Sequence, residues 1–223
     1  MKTEIWQCQA RIVGVLVFVI VAAAEPALAQ HHDPSWILRF DLSIVEPSGA
    51  FNSVNVGGGT VESRFATAVG AGFRGEYQFS TRLGVDLGIL GAGTVAVKTG
   101  ILDGTIGSEV TVGSFAPFSL GLNVHLTPDK NMDLYVGPQL VLVSYSGVEV
   151  RAAPGGVGNT VSVDNDTGWG AIIGLDIPVG KHGWIIQTNL RYIDTDTNGS
   201  GSTISFSSEF NPVIFSLGFG YRF

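Results

Sequence analysis

Several stretches carry residue types that do chemistry elsewhere, and each was tested against its spacing. Gly70-Ala71-Gly72-Phe73-Arg74-Gly75 has the G-x-G-x-x-G spacing that lets backbone approach a pyrophosphate. That chemistry needs a strand before the glycines and a helix after them; here the flanking residues alternate with a period of two throughout, so the motif lies inside a strand. Asp194-Thr195-Asp196-Thr197-Asn198-Gly199 matches the first half of a calcium loop, but the twelfth position is Ser205. Without the bidentate Glu it is not an EF-hand and reads as a strand end and turn. His31-His32-Asp33 offers metal ligands on an N-terminal tail with no further partner. His125 shares a strand face with polar residues, where it serves as an acid–base group, a pH switch or a member of a hydrogen-bond network. A hydrolase needs Ser, His and an acid together. Ser119 and His125 lie six residues apart on one strand, some 20 Å at about 3.4 Å per residue, and do not meet. No catalytic set survives, so the chain reads as neither an enzyme nor a cofactor or metal protein.

The elements that position these residues follow from composition and pattern. The chain has 223 residues, 31 of them Gly, with 45% apolar and 14% charged residues and a net charge of −7. So much Gly disfavours a helix-rich domain. The apolar content is too high for disorder, and the acidic balance without a Lys/Arg run excludes nucleic acid as partner. Met1–Arg11, the 13-residue apolar run Ile12–Ala24, and Ala27-Leu28-Ala29 follow the order of a secretory signal peptide, with cleavage expected after Ala29. The run is too short to cross a bilayer as a helix. Cys8 precedes it, which leaves residues 30–223 as one cysteine-free domain.

Within that domain eight segments alternate: Trp36–Val45, Phe65–Phe79, Leu83–Leu90, Phe118–Leu126, Leu134–Tyr145, Trp169–Ile177, Trp184–Ile193 and Val213–Phe223. One face of each is apolar and free of charge. The opposite faces carry Arg39, Arg74, Arg191, Arg222, Asp41, Glu76, Asp86, Asp176 and His125. Aromatic residues gather at the segment ends, with Trp36, Tyr77, Phe79, Trp184, Tyr221 and Phe223 at one level and Phe65, Trp169, Tyr192 and Phe215 towards the other. Two aromatic girdles around an apolar band suit a wall facing lipid with its charges inside. Strands of about 9–12 residues are long enough to cross when tilted, and closure removes unpaired edges from the hydrocarbon. The expected fold is all-β, an eight-stranded antiparallel transmembrane β-barrel in the bacterial outer membrane. Its expected partner is the lipid bilayer, and it is expected as a monomer.

Short turns at Ser80–Arg82, Thr127–Asp133 and Val179–Gly183 alternate with longer loops at Glu46–Arg64, Gly91–Pro117, Ser146–Gly168 and Asp194–Pro212. Short turns face the periplasm in such barrels, so both mature termini are expected there. Ordering the inward residues by height puts an apolar set towards the outside: Val45, Leu90, Val141, Val143, Tyr145, Ile172, Ile193 and Ile214. Below it lie the charged residues above and Gln139. An apolar pocket open to the outside and floored by ion pairs is one reading; apolar residues simply packing as the core of a narrow barrel is the other. Pro138, on the lipid face with no N–H, is the expected weak point of the wall.

The terminal Gly218-Phe219-Gly220-Tyr221-Arg222-Phe223 resembles the last-strand signature of outer-membrane barrels, which implies that Tyr221 and Phe223 are read by the barrel-assembly machinery. Tyr135-Val136-Gly137, Gly168-Trp169-Gly170-Ala171, Arg191 to Thr197 (RYIDTDT) and Asn211-Pro212 together resemble the outer membrane protein W family. That resemblance implies a narrow barrel linked to passage of small hydrophobic molecules. The alternatives are a non-transporting barrel whose extracellular loops mediate adhesion or environmental contact and, with least support, an outer-membrane enzyme acting on lipid.

Overall fold

The computed structural model describes residues 35–48, 54–56, 59–65, 67–93, 95–101, 108–128, 131–151, 158–180, 182–200 and 205–223. The expected signal peptide, Cys8 and the His31-His32-Asp33 tail lie outside them. The described residues form twelve strands and no helix: β1 (Ser35–Ser48), β2 (Val54–Val56), β3 (Gly59–Phe65), β4 (Ala68–Gln78), β5 (Leu83–Ala92), β6 (Val95–Ile101), β7 (Ser108–His125), β8 (Asp133–Arg151), β9 (Gly158–Val163), β10 (Asp166–Val179), β11 (Trp184–Ser200) and β12 (Ser205–Arg222).

Eight of them close a barrel in which every pairing is antiparallel. β1 pairs with β4, and the order continues through β5, β7, β8, β10, β11 and β12 back to β1. The register can be followed once around the wall. Trp184 pairs with Tyr221, Tyr221 with Leu38, Leu38 with Gly75, Gly75 with Leu87, Leu87 with Leu120, Leu120 with Leu140, Leu140 with Trp169, and Trp169 with Asp194. The path returns to β11 ten residues from its start. With standard strand spacings that stagger over eight strands gives a tilt of about 40°.

The alternation sorts side chains as expected. Outward residues such as Leu42 (63% exposed), Leu217 and Ile173 stand clear of the wall, while Arg39, Asp41, Ser43 and Val45 between them are buried. Trp36 stacks on Tyr77 at 4.9 Å, and Trp184, Tyr221 and Phe223 form a chain of ring contacts at the turn end. Trp169 meets Tyr192 at the other end. Trp184 and Tyr192 are eight residues apart on β11, so the girdles stand about 20 Å apart along the axis at this tilt.

The short turns lie where expected. Ser80 accepts hydrogen bonds at its Oγ from the backbone of Arg82 and Leu83, and Thr127 bridges Met132 and Leu134. Gly180 and Gly183 take positive φ in the turn between β10 and β11.

The longer connections differ from expectation, because much of their length is strand. β3 and β6 prolong β4 and β5 in unchanged register, as Arg64–Lys98 and Gly70–Ala92 show, and β9 prolongs β10 against β8 in the same way. β7, β8, β11 and β12 run 18, 19, 17 and 18 residues, beyond the 9–12 expected. The segment Phe65–Phe79 is split, with Phe65 ending β3 and β4 starting at Ala68. The reason is visible in the residues: Val95, Val97, Val110, Val112, Val148, Val150, Val161 and Val163 keep the period of two, but Gly, Ser and Thr between them mimic turn composition.

Candidate functional site: the lumen

The side chains inside the barrel fall into two zones. At the turn end, Arg39 on β1 holds Glu76 on β4 at 2.8 Å and Asp176 on β10 at 2.7 Å. Arg74 on β4 donates to Asp41 on β1 (3.1 Å), Tyr135 Oη on β8 (2.9 Å) and Gln187 on β11 (3.0 Å). Asp86 on β5 faces both guanidiniums, 3.6 Å from Arg74 and 3.9 Å from Arg39. His125 on β7 joins Asp133 at 2.8 Å to Glu76, and Asn123 donates to Glu76 at 3.0 Å. Arg222, half-buried at the rim, reaches Asp133 at 3.3 Å. All eight barrel strands contribute to this floor, so it ties the wall together across its diameter. Buried charges persist only when paired and hydrogen-bonded, and most of these are.

Tyr135 organises the centre of the floor. Its ring lies 5.0 Å from the Arg39 guanidinium and 5.9 Å from that of Arg74. Gly174 on β10 makes room for it, since a Cβ there would lie 2.2 Å from the ring. Gly84 and Gly88 do the same for Glu76 and Arg74. Inward glycines are thus the counterpart of long inward side chains.

Above the floor lies an apolar collar. Val45, Ala68, Leu90, Ala92, Phe115, Val141, Val143, Ile193 and Ile214 form one cluster with Tyr145 packed against it, and all nine are less than 5% exposed. Their side chains pack against one another across the upper lumen. Ile172, expected in this set, is buried but stands lower: its register partners are Arg191 and Gly137. The stagger between strands accounts for the difference, because equal distance from a strand end is not equal height in a tilted barrel.

Tyr135, Asn123, Gln187 and Asn189 fall on inward faces by the same alternation and are buried there, but being uncharged they give no sequence signal of a place in the floor. Phe115 lay in a stretch read as loop, and Asp133 in a turn. Phe115 was detectable by phase, since Pro117, Ser119 and Gly121 are also inward. The stretch Asp194–Gly199 lies within β11, and Gly70–Gly75 lies within β4. Among the described residues no group of three potential metal ligands assembles.

Among the described residues the wall's pairing lapses at three prolines, besides a single skipped pair at Gly113 and Gly147 in the upper part of β7 and β8. β7–β8 pairing lapses between Gly121–Gln139 and Val124–Val136, at Pro138. β11–β12 pairing lapses between Tyr192–Val213 and Thr195–Phe210, at Pro212, where Thr195 N–H donates instead to Asn211 Oδ1. β5–β7 pairing lapses between Ile89–Phe118 and Ala92–Phe115, at Pro117. Proline has no N–H to give to a neighbouring strand. The third lapse adjoins the collar directly, because Leu90 belongs to both. On the outer face nearby, Leu42, Ile44, Val69, Ala71, Gly91, Phe215 and Leu217 line a groove of about 610 Å³.

A closed antiparallel wall, apolar outside between aromatic girdles and ion-paired within, defines a membrane-spanning β-barrel. The model of the outer membrane protein beta-barrel domain matches residues 14–223, and the chain belongs to that family, whose place is the bacterial outer membrane. Among solved structures it is similar to OprG from Pseudomonas aeruginosa, at 17% identity and a TM-score of 0.60, covering 86% of this chain and 97% of that one. It is similar to AlkL, solved in DMPC bilayers, at 23% identity and a TM-score of 0.60, covering 87% and 92%. Neisserial surface protein A follows at 12% identity and a TM-score of 0.52, covering 86% and 100%. These likenesses are of fold, and they agree with the eight-stranded outer-membrane barrel implied by the resemblance to the outer membrane protein W family. No curated protein sequence matches the chain closely enough to count as a relative.

Proposed function

We propose that this barrel is a passive conduit for small hydrophobic molecules, with its turn end and both mature termini in the periplasm after removal of residues 1–29. The observation that carries the reading is the apolar collar set directly on an ion-paired floor. A hydrophobic molecule is at home among Val45, Leu90, Val141, Val143, Ile193 and Ile214. Passing the floor requires it to part buried ion pairs, at about 3–5 kcal/mol for each pair broken. A sideways exit is cheaper. The lapse in pairing at Leu90, Gly91, Ala116 and Pro117 joins the collar to the outer groove that Gly91 lines, and this favours Pro117 over Pro138 as the weak point. Passage requires the collar side chains to part, so the barrel is closed at rest.

The test is uptake of a radiolabelled medium-chain alkane by cells with and without the protein, with Val143→Asp and Leu90→Asp as lumen variants. Faster uptake that both variants abolish, with folded barrel confirmed in the membrane, is the expected result. Equal uptake with and without the folded protein overturns the conduit and shifts the function to the extracellular segments as contact surfaces.

A further inference from the structure

Resting on the conduit reading, we infer that the preferred cargo is a carboxylate-headed amphiphile whose head is received by Arg191 beneath the collar. The register builds a polar ring one step below the apolar one. Two positions down their strands, Val45, Val141, Ile193 and Ile214 give way to Ser43, Gln139, Arg191 and Ser216, and Leu90 to Gly88. Ser119, two positions below Pro117, completes the ring.

Arg191 is the anomaly in this ring. It is only 3% exposed, yet among the described residues no carboxylate lies within ion-pair distance of it. The carboxylates nearest in level are engaged elsewhere, Asp41 with Arg74 at 3.1 Å and Asp86 between Arg74 and Arg39. Among the described residues its one hydrogen bond is a long one, from Nη2 to Ser216 Oγ at 3.3 Å, and its Nε has no partner there. Its register partners are Ile172 and Ile214. Gln139 has neither amide atom bonded, and Ser119 Oγ is likewise free. A buried guanidinium with no carboxylate in contact, Asp41 and Asp86 acting on it only from a distance, is costly to the fold, whereas the floor below pairs Arg39, Arg74 and Arg222. Arg191 therefore offers what the floor has already spent: a cation with no carboxylate in contact, in the same polar ring as the unbonded Gln139 amide and roofed by aliphatic side chains. A molecule with an acyl tail in the collar and an anionic head satisfies both layers at once, and the head accepts hydrogen bonds from Arg191 Nε–H and the Gln139 amide.

The test follows the Arg191 Nε–Hε resonance of labelled protein in lipid nanodiscs while decanoate or decanol is added, beside cellular uptake of decanoate and decane. Decanoate is expected to shift the resonance to saturation, with decanol at least about tenfold weaker, the margin of a charge-assisted hydrogen bond. Arg191→Met is expected to lower decanoate uptake about tenfold, with decane unchanged and Arg191→Lys restoring part of the loss. Arg191→Met removes a charge that has no carboxylate in contact, and the heat-dependent gel shift of a barrel checks that the variant folds. A resonance indifferent to decanoate, or equal uptake of decanoate by wild type and Arg191→Met while decane still enters, overturns the head-group site and leaves the conduit standing. A saturating shift without faster uptake of either compound keeps the site and removes the conduit.

Discussion

Gly174 and Tyr135 show how tightly single positions are matched in the lumen. A methyl group at residue 174 meets the tyrosine ring and hydroxyl at 2.2–2.3 Å, so the ring moves off both guanidiniums and its bond from Arg74 is lost. Gly174→Ala is expected to destabilise the barrel by about 2–3 kcal/mol, read by urea unfolding in lipid vesicles. Glu76→Gln leaves Arg39 and His125 facing a neutral amide in a buried network and is expected to cost about 3–5 kcal/mol by the same measurement. Period-two alternation was enough to put Arg39, Arg74, Glu76, Asp86 and Asp176 inside. It said nothing of who pairs with whom, because Arg39 and Asp176 are 137 residues apart and meet only through the order and stagger of the strands.

At the scale of elements, the prolines divide the wall into continuous and interrupted seams. On the other side of each, pairing continues: Pro117 with Val143, Pro138 with Ala171, Pro212 with Pro47. Pro117→Ala restores an N–H where β7 faces β5. Slower hydrogen exchange at Leu90, Gly91 and Ala116 is expected, together with alkane uptake several-fold below wild type. Unchanged uptake with slowed exchange places the exit elsewhere. Pro138 was legible in the sequence because its segment alternates strongly. Pro117 was not, because the residues before it, from Gly91, carry the Gly, Ser and Thr that ordinarily mark a loop. The strand continuations β3, β6 and β9 were hidden for the same reason.

For the whole molecule, the outer wall is the best-determined surface, and the one most legible beforehand, since a lipid-facing band demands apolar residues at every second position in all strands. Leu87 is 48% exposed midway between the girdles. Leu87→Arg is expected to cost about 2–4 kcal/mol in vesicle unfolding, and the same change near a girdle close to nothing. The interior was legible as a polarity but not as a shape. Whether the apolar set lined a pocket or filled it depends on the barrel radius and on which glycines face which long side chains, and both follow from the ten-residue stagger rather than from any local pattern.

The seam between β1 and β12 has a consequence in time. It joins Ile37 to Arg222, and Phe223 N–H donates to the Trp36 carbonyl. β1 thus waits for β12, the most distant barrel strand in sequence, and until then it presents a bare edge that no hydrocarbon solvates. A wall that lacks β12 leaves that edge open, so a chain cut before β12 is expected not to stand in the bilayer as a closed barrel.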